Sequence, residues 1–204
     1  MLLSWCLQKP GLIMAITTKR CTSMDSDPPI RLDSYCDVTG KPHGGSVCFY
    51  INPRWCSTVH FREKLCTPDT ELLSLSLHPF YLPREYPQLF FVLVCIHPRT
   101  NPTLATDHIE SCSDKFEQLS LDSPKLILGG FNHCNPGKSL KGLDQYIACS
   151  TCLGKTLDRC YGSVPDAYRA VALPPIGSAD HLTILLPPAY TPVIRKIQKT
   201  KTIR

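Results

Sequence analysis

Apolar and polar positions follow three different rhythms along this 204-residue chain, and each rhythm predicts a different kind of element. Leu89-Phe90-Phe91-Val92-Leu93-Val94-Cys95-Ile96 is apolar on both faces, as a strand buried between two layers must be. Glu71 to Leu77 alternates serine and leucine with a period of two, which predicts a strand with only one face buried. Across 105–119 the period lengthens: Ile109, Cys112, Phe116 and Leu119 recur every three or four residues. That spacing predicts an amphipathic helix with Asp107, Glu110, Asp114 and Lys115 toward water. Val47–Ile51, Leu126–Leu128 and Leu182–Leu186 are shorter apolar runs of strand length. Strand, helix, strand over 89–96, 105–119 and 126–129 is the local signature of a layered α/β architecture.

Between these runs lie the breakers. Pro79, Pro83 and Pro87 forbid regular structure and predict a surface loop feeding the next strand. Gly40 to Gly45 reads as a turn, and Cys21 to Ile30, rich in Ser, Asp and Pro, as a loop. Gly11 to Ile16 is expected to make one short strand. Asn135 to Cys160 is expected to be loop-like with a single helical turn. The longest apolar run falls far short of the roughly 20 residues needed to cross a bilayer as a helix, so no membrane partner is expected.

Charge adds one feature. The net charge is +5, yet Arg195, Lys196, Lys199, Lys201 and Arg204 supply it all, and the remaining 17 basic side chains balance the 17 acidic ones. A balanced body does not advertise a nucleic-acid face, while the basic tail suits non-specific contact with phosphates. Twelve cysteines suggest a disulfide scaffold at first sight. Cys48 and Cys95, however, sit inside apolar runs, where cysteine acts as a small hydrophobe. The N-terminus lacks the basic segment of a signal peptide, so a reduced cytoplasmic or nuclear setting is expected.

Polar residues gather at the edges of three apolar runs: Gly129-Gly130-Phe131-Asn132, Thr156-Leu157-Asp158 and Gly177-Ser178-Ala179-Asp180-His181. Strand ends are where α/β folds place chemistry. Adjacent residues of an extended chain point to opposite sides, so Asp180 and His181 are expected to face different partners. Asp158 is a candidate to hold the His181 imidazole, as the third member of a triad does, and Asn132 to present its amide to a phosphate oxygen or a water. Such a set suits phosphodiester hydrolysis with Mg²⁺, which takes hard oxygen ligands. The plainer alternative is that Asn132 and Asp180 cap turns, His181 packs at a strand start and Asp158 pairs with a neighbouring base.

These segments, with Lys41 to Ile51, Cys66 to Leu73 and Val94-Cys95-Ile96-His97-Pro98, resemble the endonuclease/exonuclease/phosphatase family. They are most similar to the endonuclease domain that LINE-type, jockey-like retrotransposons carry ahead of their reverse transcriptase. The resemblance implies a four-layer α/β/β/α fold, a two-layer β-sandwich flanked by helices and incomplete at the N-terminus. It divides the chain into an atypical segment 1–40, an endonuclease-like domain 41–188 and a basic tail or linker stub 189–204. It implies Asp180 as a metal-side carboxylate, His181 at the scissile phosphate, Asp158 orienting it and Asn132 positioning phosphate or water, with Mg²⁺ as cofactor and DNA as partner.

The departures from the family pattern matter as much. Gly130 stands where the family has an aspartate, so the carboxylate that polarises the attacking water is missing. Cys95 stands where a tyrosine is expected, and residues 1–40 hold neither glutamate nor asparagine for the early metal-side positions. Removing one preorganised group lowers a rate by about 10²–10³, so the expectation is a degenerate domain without phosphodiesterase activity. The first alternative is an active Mg²⁺-dependent nickase using a substitute such as Asp33 or Asp37. The second is a non-catalytic nucleic-acid or protein binding module, with Arg84, Arg195, Lys196 and Lys199 as contacts and Phe80 and Tyr81 as stacking surfaces. A zinc site built on Cys149, Cys152 and Cys160, with His133 and Cys134 nearby, is a further alternative, although only one CxxC half is present.

Overall fold

The computed structural model describes residues 2–7, 12–17, 30–33, 46–176 and 179–189. Two six-stranded sheets carry the fold. In chain order the strands are β1 Leu2–Leu7, β2 Leu12–Thr17, β3 Ile30–Asp33, β4 Ser46–Ile51, β5 Thr58–Cys66, β6 Thr70–His78 and β7 Leu89–Ile96. The helix α1 Pro102–Leu119 follows, and then β8 Lys125–Gly130, β9 Asp144–Gln145, β10 Asp158–Gly162, β11 Val171–Leu173 and β12 Thr183–Leu186. The first sheet runs β11-β12-β1-β2-β4-β3 and the second β5-β6-β7-β8-β10-β9.

The sheets pack face to face through Val47 and Phe49 of the first and Leu73, Leu75, Phe91, Leu93, Leu128 and Cys160 of the second. The opposite face of the second sheet is covered by α1, whose Ile109, Cys112 and Phe116 meet Phe90, Val92 and Ile127. Phe90 and Phe116 stack with centroids 4.2 Å apart. The helix is the crossover that two parallel strands, β7 and β8, require. Its start is set by Asn101, whose side chain accepts the Thr103 N–H at 3.0 Å, with Pro102 in the first turn. The architecture is an α/β sandwich. Its second flanking helical layer is not among the described residues.

Several boundaries and faces differ from the sequence reading. β6 is buried on both faces, because Ser74 and Ser76 lie under the helix side and under Arg62 of β5, whose Nε donates to Ser76 Oγ at 2.9 Å. Serine is small enough to be covered where a larger polar side chain would stay in water. Leu119, expected on the buried stripe, is exposed; it is the last residue of α1. From the first 40 residues come β1, β2 and β3, half of the first sheet, where one short strand had been expected. β1 is held between β2 and β12, a long-range pairing that local pattern does not encode.

Edge strand β5 carries Arg62, Glu63 and Lys64 and a bulge between Phe61 and Glu63. Charge and a bulge on an edge discourage pairing with another chain.

Candidate functional site

One end of the sandwich collects the polar residues singled out in the sequence, and strand register explains how. In the second sheet Glu71 pairs with Cys95, Cys95 with Gly130, and Gly130 with Asp158. Leu73, Leu93, Leu128 and Cys160, each two residues further into the sandwich, all belong to the core between the sheets. The period of two therefore turns all four end positions toward that same interior. In this row Gly130 offers no side chain beside Asp158. Glu71 is the member that the sequence reading missed as a site residue; its signal was a lone carboxylate at the head of a Ser/Leu alternation.

The close approach of β7 and β8 at this end depends on Gly129. Its φ of +138° lies in the left-handed region, and a Cβ there would stand 1.9 Å from the Val94 carbonyl oxygen. Asn132 also has a positive φ, +53°, and its Nδ2 donates to the Ile96 carbonyl at 2.6 Å. Its amide thus ties the loop after β8 to the end of β7. Both Phe131 and Asn132 donate their backbone N–H to Leu157 O, at 2.9 and 3.0 Å, which fixes the residue just before Asp158.

Asp158 and His181 are in direct contact. His181 Nδ1 lies 2.6 Å from Asp158 Oδ2, with His181 3% exposed and Asp158 fully buried. Asp158 Oδ1 is also buried, and among the described residues it has no hydrogen-bond partner. A carboxylate on Nδ1 fixes the ring and leaves Nε2 as the nitrogen available for other work.

Thr151 connects the two halves of this pair. Its hydroxyl accepts the N–H groups of Leu157 and Asp158, both at 3.0 Å, and its carbonyl accepts the Leu182 N–H at 2.8 Å. It is fully buried. The segment it belongs to folds back through a tight turn in which Cys152 and Lys155 exchange backbone hydrogen bonds around Leu153 and Gly154. Both turn residues have positive φ, +45° and +78°. That geometry is the type I′ hairpin turn.

As a result Cys152 arrives beside Asp180 and His181, and ligand atoms of the three lie within 4.8 Å of one another. Asp180 is exposed while Cys152 and His181 are buried. The expected divergence of Asp180 and His181 holds for burial but not for their ligating atoms, because both residues lie in bends and not in extended chain. Burial pushes the Cys152 thiol pKa up, and the negative charges of Asp180 and Asp158 push it further the same way.

The other residues singled out in the sequence fall elsewhere. Neither Cys149 nor Cys160 belongs to this cluster. Cys160 lies fully buried in the core between the sheets, where desolvation raises its thiol, and Cys149 packs against that core. Cys134 is buried under α1, and His133 Nε2 lies 2.9 Å from Thr100 O. Phe80, Tyr81 and Arg84 are exposed, Tyr81 by 87%, but they occupy the loop joining β6 to β7 at the end of the sheet opposite the Glu71–Asp158 row. Asp33 ends the edge strand β3, four strands across the first sheet from β12. Arg195, Lys196, Lys199 and Asp37 lie outside the described residues.

Mg²⁺ fits this donor set badly. That ion wants near-octahedral oxygen coordination and commonly one or two carboxylates. The cluster offers one exposed carboxylate, a buried thiol and an imidazole, and Gly130 supplies nothing.

No protein-family model and no curated protein matches this sequence. Solved structures do. A conserved protein of unknown function from Enterococcus faecalis superposes with a TM-score of 0.51 at 10% identity, covering 76% of this chain and 75% of that one. D. rerio TDP2, solved with a single-strand DNA product, gives 0.48 at 12% identity over 76% and 75%. A Bacteroides thetaiotaomicron protein described as of the endonuclease/exonuclease/phosphatase family gives 0.46 at 10% identity over 76% and 73%. At 10% identity, what the Enterococcus faecalis protein shares with this chain is the fold, the α/β sandwich. Among the described residues no helix is long and apolar enough to cross a membrane.

Proposed function

We propose that this chain is a degenerate endonuclease-like domain of retrotransposon origin that has lost phosphodiesterase activity. The observation that carries the reading is the inward row Cys95–Gly130–Asp158, in which Gly130 leaves the strand end beside the Asp158–His181 pair without a carboxylate. A positioned imidazole alone does not hydrolyse a phosphodiester at a useful rate. The attacking water must be polarised and the developing charge neutralised, each of which contributes orders of magnitude. The Asp158–His181 pair persists because it is also structural: buried and hydrogen-bonded, it joins the two sheets.

Nicking of supercoiled plasmid by the purified protein, with Mg²⁺ and with EDTA, tests this directly. The expected result is no nicking from protein that unfolds cooperatively. Mg²⁺-dependent nicking that disappears in Asp180→Ala overturns the reading, and loss in Glu71→Gln would identify Glu71 as the substitute carboxylate.

A second reading, a non-catalytic nucleic-acid binding module, is favoured by the exposed Phe80, Tyr81 and Arg84 in one loop away from the polar cluster. It predicts DNA binding that survives EDTA and Asp180→Ala and weakens in the Tyr81→Ala, Arg84→Ala double variant.

A further inference from the structure

We infer that Cys152, Asp180 and His181 form a binding site for one Zn²⁺ ion, with a fourth coordination position open to water or to an anionic ligand. The inference does not depend on whether the chain has nuclease activity. Three different donor types converge within 4.8 Å: a thiol, a carboxylate and an imidazole. A thiolate and an imidazole select a borderline-soft cation such as Zn²⁺ and disfavour Mg²⁺ or Ca²⁺.

A second observation is independent of that convergence. The carboxylate of Asp158 is fully buried and holds His181 Nδ1 at 2.6 Å, which leaves Nε2 as the nitrogen that would ligate. This is the carboxylate–histidine–metal arrangement in which an outer carboxylate fixes the tautomer and strengthens the ligand. Asp158 Oδ1 has no hydrogen-bond partner among the described residues, and His181 is its only ion-pair partner there. Two carboxylates, Asp158 and Asp180, therefore stand beside one imidazole, and among the described residues no lysine or arginine is ion-paired with either. A divalent ion at the cluster balances them.

The backbone prepares two of the three ligands. Thr151 binds the Leu182 N–H on one side and the Asp158 N–H on the other, which places the adjacent Cys152 and His181 on rigid, mutually bonded segments. Asp180 is exposed and closes onto the ion by side-chain rotation. Zinc–ligand bonds of about 2.0–2.3 Å imply ligand separations of roughly 3.3–3.8 Å in a tetrahedral site, so the present spacing needs a contraction of about 1 Å. Three protein ligands leave one position open, in contrast to a closed four-ligand structural site.

The test is titration of the full chain, reduced and metal-stripped, with Zn²⁺ alone and then with Co²⁺ as a spectroscopic substitute. One equivalent of Zn²⁺ should bind, and Co²⁺ should give a near-ultraviolet band from a cobalt–thiolate bond. Cys152→Ser should abolish that band, and Asp180→Asn should weaken Zn²⁺ binding at least tenfold. Asp180 is exposed, so its change does not threaten folding. Cys149→Ser, at a thiol outside the cluster, should leave both readouts unchanged. A thiolate band that persists in Cys152→Ser, Zn²⁺ affinity unaffected by Asp180→Asn, or no stoichiometric Zn²⁺ binding by folded protein each overturns the inference.

Discussion

The Nδ1 of His181 meets the Oδ2 of Asp158 across 2.6 Å, the two residues 23 positions apart in the chain and the carboxylate without water-accessible surface. One residue leads into β12 of the first sheet and the other opens β10 of the second. The contact is therefore a clasp between sheets as well as the centre of the polar cluster. Replacing Asp158 with alanine leaves a buried ring nitrogen without its acceptor, which costs about 1–3 kcal/mol. Urea unfolding of Asp158→Ala should show the midpoint lowered accordingly, with the slope unchanged. An unaltered midpoint would mean that the clasp contributes nothing.

Gly129→Ala should be far more damaging than its size suggests. The new methyl would stand 1.9 Å from the Val94 carbonyl at a φ of +138°. Either β7 and β8 separate at the polar end or the backbone flips, and a loss of roughly 3 kcal/mol or more is expected. Soluble expression and thermal melting measure it. Gly130, whose φ is not positive, should accept alanine with much less loss.

Leu153 is the opposite case, a residue that is worse than its replacement. It is 90% exposed and takes φ +45° at the first position of the Leu153-Gly154 turn. A leucine in the left-handed region costs roughly 1–2 kcal/mol relative to glycine, part of which the glycine returns as chain entropy. Leu153→Asn or Leu153→Gly should raise stability by about 0.5–1 kcal/mol. A lower melting temperature for both would contradict the turn assignment.

Alkaline pH should unfold the protein earlier than neutral pH, because buried thiols stay protonated in the fold. Burial drives Cys112 from 9.0 up to about 11, and Cys56, Cys134, Cys152 and Cys160 are shifted in the same direction. Above pH ~9 the unfolded chain loses protons that the folded chain keeps. Stability is full below that value and declines as pH rises through the folded pKa, by up to roughly 1.4 kcal/mol per pH unit for each such thiol. Chemical denaturation under reducing conditions from pH 7 to 11 should show a steady fall. Cys112→Ala should make it shallower.

Phe116→Ala removes the ring stacked on Phe90 between α1 and the second sheet. The loss expected for a fully buried phenylalanine is about 3–5 kcal/mol. Circular dichroism and urea unfolding would show whether the helix stays docked.

Local pattern was enough for β7, α1 and the end of β8, because burial on two faces, a 3.6-residue stripe and a Gly-Gly strand end are written in neighbouring residues. Pattern also picked out Asn132, Asp158, Asp180 and His181, since polar residues closing apolar runs are visible without knowing what they face. It misjudged β6, whose serines look solvent-facing until a helix and a flanking strand cover them. It found only one of the three strands in the first 40 residues, because β1 is defined by partners at both ends of the chain. Which residues meet is a long-range property. Register put Gly130 beside Asp158 and Glu71 in their row. The Thr151 bridge delivered Cys152, rather than Cys149 or Cys160, to the side of Asp180 and His181. Composition and periodicity determined the elements and the list of candidate side chains. Only strand pairing across the sandwich decided which of them share a site, because contacts between residues distant in sequence leave no periodic trace in it.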